Sequence, residues 1–231
     1  SLTVNAVNDA PVLASISDVS FDEDGSGSLS LSSSDVDDGD SATYSISGGS
    51  DITATVNDSN VSFSAPANFN GSESFIVSVA DSGDLSDSQG ITVTVNPVND
   101  EPVLSVIGDR SVDEDSVLNL LLSASDIEGD LLTYSIEGGS EVTSSVSGND
   151  LTLTPSENFS GTESFTVSVS DGNLTDSETF ALTVTEVNDA PVLASVSNVS
   201  FDEDGSGSLS LSSSDVDDGD SATYSITGGS D

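Results

Sequence analysis

The residues with the capacity for chemistry in this chain are carboxylates, and they recur at fixed positions. Asp22-Glu23-Asp24 returns as Asp113-Glu114-Asp115 and as Asp202-Glu203-Asp204. The loop Asp35-Val36-Asp37-Asp38-Gly39-Asp40 returns as Asp126-Ile127-Glu128-Gly129-Asp130 and as residues 215–220. Asp81 returns as Asp171, and the Asn-Asp pair of a linker stands at 8–9, 99–100 and 188–189. Grouped like charges repel unless a cation sits among them. The chain has 42 Asp and Glu against a single basic residue, Arg110, so the cation must come from outside. Carboxylate, amide and backbone oxygens without imidazole or thiolate select a hard ion of flexible coordination, Ca²⁺ before Mg²⁺, and exclude zinc and copper as intended occupants. The remaining acids, among them Asp51, Asp58, Asp87, Asp109, Glu137 and Glu157, match no repeated cluster and are assigned to solubility.

The formal net charge of −41 over 231 residues excludes nucleic acid and anionic lipid faces as partners, because both are bound through Lys and Arg. No apolar run approaches the roughly 20 residues that span a bilayer. With no cysteine there are no disulfides from which to read a redox compartment. The sequence contains no Met, and it reads as a fragment of a longer protein. Strong acidity with few aromatics is also a mark of disorder, but disorder carries no periodicity.

Periodicity is the dominant feature here. Val-Asn-Asp-(Ala/Glu)-Pro-Val-Leu begins at Val7, Val98 and Val187, spacings of 91 and 89 residues. Asn68-Phe69-Asn70-Gly71 matches Asn158-Phe159-Ser160-Gly161, and Tyr44, Tyr134 and Tyr224 share a register. Residues 188–231 copy residues 8–51 with three changes, Ile16 to Val196, Asp18 to Asn198 and Ser47 to Thr227, so the duplicated unit is a pair of repeats. We expect a last strand of a preceding repeat over 1–8, complete repeats over 9–98 and 99–187, and the first part of a further repeat over 188–231.

Within the first repeat, strands are expected near 17–21, 28–31, 43–46, 52–56, 60–64, 74–80 and 91–95. Phe75, Val77 and Val79 alternate with small polar residues, as do Ile91, Val93 and Val95, which is the period of a strand with one buried face. Seven short strands per repeat predict an all-β chain of tandem immunoglobulin/cadherin-like Greek-key sandwiches in a linear array. The Asp35-x-Asp37 loop is not an EF-hand: counted from Asp35, Gly39 falls at the fifth position and Ile46 at the twelfth, where that loop needs Gly at the sixth and Glu at the twelfth.

The linkers, the Asp-Glu-Asp triplets, the Asp-x-Asp loops and the run from Asn158 through Gly161 and the following Phe-Thr-Val-Ser-Val-Ser-Asp-Gly together resemble bacterial cadherin-like tandem repeats of large secreted or surface adhesins, including those of the RTX type. That resemblance implies calcium between consecutive domains. Carried over position by position, it implies Glu23, Glu73, Asn99, Asp100, Asp126, Glu128 and Asp171 as ligands at one junction. At the next it implies Glu114, Glu163, Glu186, Asn188, Asp189, Asp215 and Asp217, and at the first half-junction Asn8, Asp9, Asp35, Asp37 and Asp81. The linker departs from the cadherin pattern in lacking one Asn, with Asn5 and Asn96 where an Asp is expected, and Glu128 replaces an Asp.

The resulting expectation is a calcium-binding, calcium-rigidified segment of an extracellular adhesin, acting in cell adhesion or biofilm as stalk or spacer, with cell-surface proteins or glycans as its partners besides calcium. The alternative is a carbohydrate-binding module of a secreted polysaccharide-processing protein. Sugar sites favour exposed aromatic platforms, and the chain offers 3 Tyr, 8 Phe and no Trp, most of the Phe at core-facing strand positions. An enzyme is not expected: the acids recur in every repeat, whereas a catalytic pair needs one unsymmetrical site, and no His or Lys is present to switch charge near neutrality.

Overall fold

The computed structural model describes residues 2–3, 5, 7–37, 39, 41–217 and 219–228. The first repeat contains β1 (Val12–Leu13), β2 (Val19–Asp22), β3 (Gly27–Ser30), β4 (Ser33–Ser34), β5 (Thr43–Gly48), β6 (Thr53–Asn57), β7 (Asn60–Ser64), β8 (Gly71–Ala80) and β9 (Ser86–Asn96). One sheet runs β2-β9-β8-β5 and the other β3-β7-β6, while β1 pairs with β4 alone. The β2–β9 pair is parallel, with Phe21 opposite Val95, and the other pairs are antiparallel.

The alternating residues close the space between the two sheets. Phe75, Val77 and Val79 of β8, Val93 and Val95 of β9, and Val61 and Phe63 of β7 are all buried. Phe63 meets Phe75 edge to face, with ring centroids 5.6 Å apart. The seven expected strands are present, and β8 and β9 reach further than alternation indicated, to 10 and 11 residues. Their extensions are built of Ser, Gly, Glu, Gln, Asp and Asn, which carry no apolar period. The ribbon of β1 and β4 was not expected, since two residues are too few to show a period.

The second repeat follows the same plan with β10 (Val103–Leu104), β11 (Arg110–Asp113), β12 (Leu118–Leu121), β13 (Ala124–Ser125), β14 (Thr133–Gly138), β15 (Val142–Ser147), β16 (Asp150–Pro155), β17 (Gly161–Ser170) and β18 (Thr175–Thr185). Its sheets are β11-β18-β17-β14 and β12-β16-β15. Leu151, Leu153, Phe165, Val167, Val169, Phe180 and Leu182 form the core. By internal contacts the chain divides into residues 1–100 and 101–231, the second unit holding both this repeat and the segment after it.

In that last segment only β19 (Val192–Leu193) and β20 (Ser213–Ser214) pair among the described residues. Phe201 is 64% exposed where its counterpart Phe21 is 8% exposed. The reason is topological: β2 and β3 rest on β9 and β7, and a copy of residues 8–51 contains neither. Residues 2–3, 5 and 7–8 form no strand, and Ser1, Val4 and Ala6 lie outside the described residues. A closing strand pairs on both sides, as β9 does with β2 and β8, and no such neighbours flank this stretch among the described residues. No described helix is long and apolar enough to cross a membrane.

Candidate metal centre

Among the described residues, carboxylates converge where the second repeat runs into the segment after it. The backbone N–H of Glu114 donates to the Thr185 carbonyl (2.9 Å), which sets Glu114 just beyond β11 and beside the end of β18. Its side chain is 5% exposed, and one carboxylate oxygen accepts the Val187 amide at 2.6 Å. The linker follows at once. Asn188 Nδ2 donates to the Asp189 carbonyl (2.7 Å), and the Asp189 amide donates to Asp217 Oδ2 (2.7 Å). Oxygens of Glu114, Asp189 and Asp217 lie within 4.8 Å of one another, and so do oxygens of Asp215, Asp217 and Asp220. A recess of about 320 Å³ opens beside them, lined among others by Glu186, Phe159 and Ser160. Asp220 was not among the sequence candidates, although its place in the Asp-rich loop was visible.

These residues fit a hard divalent cation. Asp189 Oδ2 is buried and meets no donor, the donor set is all oxygen, and the only guanidinium of the chain donates to the Asp109 carbonyl. Burial pushes the Asp189 carboxyl above the usual carboxylate range, and the charges of Asp217, Asp115, Glu114 and Asp215 push it the same way. A bound cation favours the ionised form and offsets both effects.

The opening of the first repeat shows the same local geometry. The Asp9 amide donates to Asp37 Oδ2 (2.7 Å) and the Asp37 amide to Asp35 Oδ1 (3.0 Å), while Asp35 Oδ2 is buried without a donor. Asn8 Nδ2 donates to Asp81 Oδ2 (2.9 Å), and the amides of Gly83 and Leu85 donate to Asp81 Oδ1. Burial opposes ionisation of Asp81 most strongly, yet these hydrogen bonds together hold its carboxyl below the ordinary value.

At the end of the first repeat Glu23 repeats the role of Glu114. It is 6% exposed, its Oε1 accepts the Val98 amide at 2.5 Å, and its Oε2 is buried without a donor. Asn99 Nδ2 donates to the Asp100 carbonyl as Asn188 does to Asp189. In the second repeat Asp126 Oδ1 accepts the Asp130 amide and Oδ2 is buried without a donor; Asp171 Oδ1 accepts the amides of Asn173 and Leu174; Glu128 is exposed in the same loop as Asp126.

Glu73 and Glu163 have a different occupation. Glu73 accepts the amides of Ser50, Asp51 and Ile52 and the Ser50 hydroxyl, and Glu163 does the same for Ser140, Glu141 and Val142. The Ser50 hydroxyl and the Asp51 and Ser50 amides bring the Glu73 pKa down to about 2. Burial resists ionisation of Glu163, and the Glu141 amide with the Ser140 donors outweighs it, so its pKa also falls. Both glutamates pin the loop between the two sheets, with their oxygens committed to backbone amides.

The sequence matches the bacterial Ig domain over residues 8–94 and again over residues 99–185. The chain belongs to the bacterial Ig domain family. This tandem pair of bacterial Ig domains is 30% identical over 142 residues, 59% of the chain, to chitinase A of Pseudoalteromonas piscicida, and spans 17% of that protein's length. Among solved structures it resembles protocadherin gamma B2 extracellular cadherin domains 1–5, with a TM-score of 0.53, 20% identity, and 89% of this chain and 46% of that chain covered. It also resembles human protocadherin-24 EC1-2, with a TM-score of 0.49, 19% identity, and 78% and 100% covered. At 20% identity the likeness to the protocadherin gamma B2 domains is one of fold: bacterial Ig domains built as cadherin-like β-sandwiches.

Proposed function

We propose that this chain is a calcium-binding repeat segment of a large bacterial surface or secreted adhesin, stiffened by calcium and serving as stalk or spacer. The observation that carries the reading is the convergence of buried Glu114 with Asp189 and Asp217, whose oxygens lie within 4.8 Å with no cationic side chain to balance them. Calcium there is held by Glu114, Asp189, Asp215 and Asp217, with Glu186 and Asn188 beside them; by the sequence repeat Glu23, Asn99 and Asp100 are the counterparts of Glu114, Asn188 and Asp189, Asp126 and Glu128 those of Asp215 and Asp217, and Asp171 that of Asp81, while Asn8, Asp9, Asp35, Asp37 and Asp81 match part of the set. The ion supplies positive charge and flexible coordination. The chain's own residues orient it: the Val187 amide fixes Glu114, and the Asp189 amide fixes Asp217. Glu73 and Glu163 drop out of the set, being saturated by amides. The assignment includes no catalysis, and it places the protein outside the cell.

Titration calorimetry tests the reading, with an expected affinity of about 0.1–1 mM per site as in extracellular calcium modules. At a hundredfold excess over that constant each site adds about 2.7 kcal/mol to stability. Heats and melting curves that ignore millimolar Ca²⁺ would sink it.

One observation favours a second reading, a carbohydrate-binding module of a secreted polysaccharide-processing protein: the similarity to chitinase A. A glycan array that includes chitin oligomers, run in calcium buffer, separates the two. Selective retention of a glycan supports the module, and an empty array supports the stalk.

A further inference from the structure

The opening segment of each repeat lies beside its last strand where no backbone ladder joins them. β2 pairs with β9 only from Val93 onward, and β11 with β18 only from Leu182 onward. Earlier along these strands, side chains make the attachment. In the first repeat Asp87 accepts the Leu13 amide (2.9 Å) and Asp18 accepts the Thr92 amide (2.7 Å). In the second, Asp176 accepts the Leu104 amide (2.8 Å) and Asp109 accepts the Ala181 amide (2.8 Å). These two fastenings are common to both repeats.

The middle fastening differs. Gln89 accepts the Ile16 amide at 3.1 Å and donates its own Nε2 to the Ile16 carbonyl at 2.5 Å, copying one rung of a ladder. Glu178 stands at the matching position and accepts two amides, Ile107 at 2.7 Å and Gly108 at 3.1 Å. Gly108 has φ +64°, in the left-handed region, where the first repeat has Ser17. We propose that the opening segment of the second repeat is an acid-sensitive latch, held by Glu178 on the Ile107 and Gly108 amides, while the Gln89 fastening of the first repeat is indifferent to pH.

The chemistry follows from the donor inventory. An ionised carboxylate accepts at both oxygens, and its hydrogen bonds are charge-assisted. Once it is protonated, one oxygen becomes a hydroxyl, a poorer acceptor, and the charge assistance to both bonds is lost, so the bond on that oxygen is weakened most and the other loses part of its strength. A carboxamide has no such change to undergo. Charged positions on the adjoining elements are Asp176, on the same face of β18, Arg110 of β11, and Asp109 just before it. Across the sheet the row of Glu178 holds Val167 and Ile136, and that of Asp176 holds Val169 and Tyr134. Ile107 itself belongs to the core of the repeat, together with Leu104, Leu151 and Leu153.

Amide hydrogen exchange on the full 231-residue chain in EDTA, at about pH 7 and about pH 4 and corrected for intrinsic rates, reads the latch directly. Protection at Ile107 and Gly108 falls about two- to threefold at the lower pH, the part of one charge-assisted bond lost there, while Ile16 changes little. Glu178→Gln removes this pH response. Gln89→Glu inverts the sign in the first repeat: its carboxylate faces the Ile16 carbonyl at neutral pH and becomes a donor to it on protonation, so Ile16 is better protected in acid. Equal responses of Ile16 and Ile107 in the unaltered protein, or a response that survives Glu178→Gln, overturn the proposal. If Glu178→Gln prevents folding, Gln89→Glu decides, and failure of the inversion overturns it.

Discussion

At the scale of single residues, chemically similar carboxylates end in opposite electrostatic states. Glu73 is wrapped by amides and a hydroxyl, and its proton is held so weakly that its pKa is about 2. Asp189 is half-buried among other carboxylates, and its proton is held more tightly than usual. The sign of the consequence is fixed by that direction. Because its folded pKa is raised, Asp189 destabilises the metal-free fold at neutral pH, and stability returns as the pH falls through the raised value. On the calcium reading, ion and proton compete there. Calcium uptake near pH 5 is expected to release protons, seen as calorimetric heats that vary with the buffer's ionisation enthalpy, and less so at pH 7.5. Asp189→Asn is expected to abolish this dependence and weaken binding by about tenfold or more. Heats that do not depend on the buffer remove Asp189 from the site. The sequence marked Glu73, Glu163, Asp189 and Glu114 alike as recurring acids; which were saturated and which were stranded depended on backbone amides from loops 21 to 73 residues away.

At the scale of elements, strands β5 to β9 were legible because alternation against a buried face leaves a record in the residues themselves. The turns were legible by type, and their tightness was not. Gly139 has φ +74°, and a methyl group there would lie 2.6 Å from the Val142 carbonyl oxygen and 2.7 Å from the Phe165 ring. Gly129 has φ +77° with open space around it. Gly139→Ala is therefore expected to cost about 3 kcal/mol, from backbone strain and collision with the core. Gly129→Ala should cost about 1 kcal/mol, the conformational penalty alone. Urea unfolding of the two variants checks the difference, and equal losses would show that the Phe165 side of the loop yields freely.

At the scale of the whole molecule, a formal charge of −41 with one basic residue makes self-repulsion a general cost of the folded state. Sodium chloride screens it without discrimination. A cation bound at defined sites acts differently, so at constant ionic strength 5 mM CaCl₂ is expected to raise the melting temperature well beyond an equivalent addition of NaCl. Small-angle scattering is expected to differ between calcium and EDTA. Superimposable profiles would leave the carboxylates a solubilising role and remove calcium stiffening from the proposal.

The sequence by itself determined the all-β class, the repeat of about 90 residues and the chemistry of any cation the chain could hold, because alternation, internal duplication and residue type are local properties. Only the tertiary structure decided that Glu73 and Glu163 serve the loops of their own repeats, that Glu23 and Glu114 are buried with linker amides on one oxygen, and that Gln89 and Glu178 fasten the opening segments in different ways. Each of these is settled by hydrogen-bond partners distant in sequence, which residue order does not specify until the sheets have brought them together.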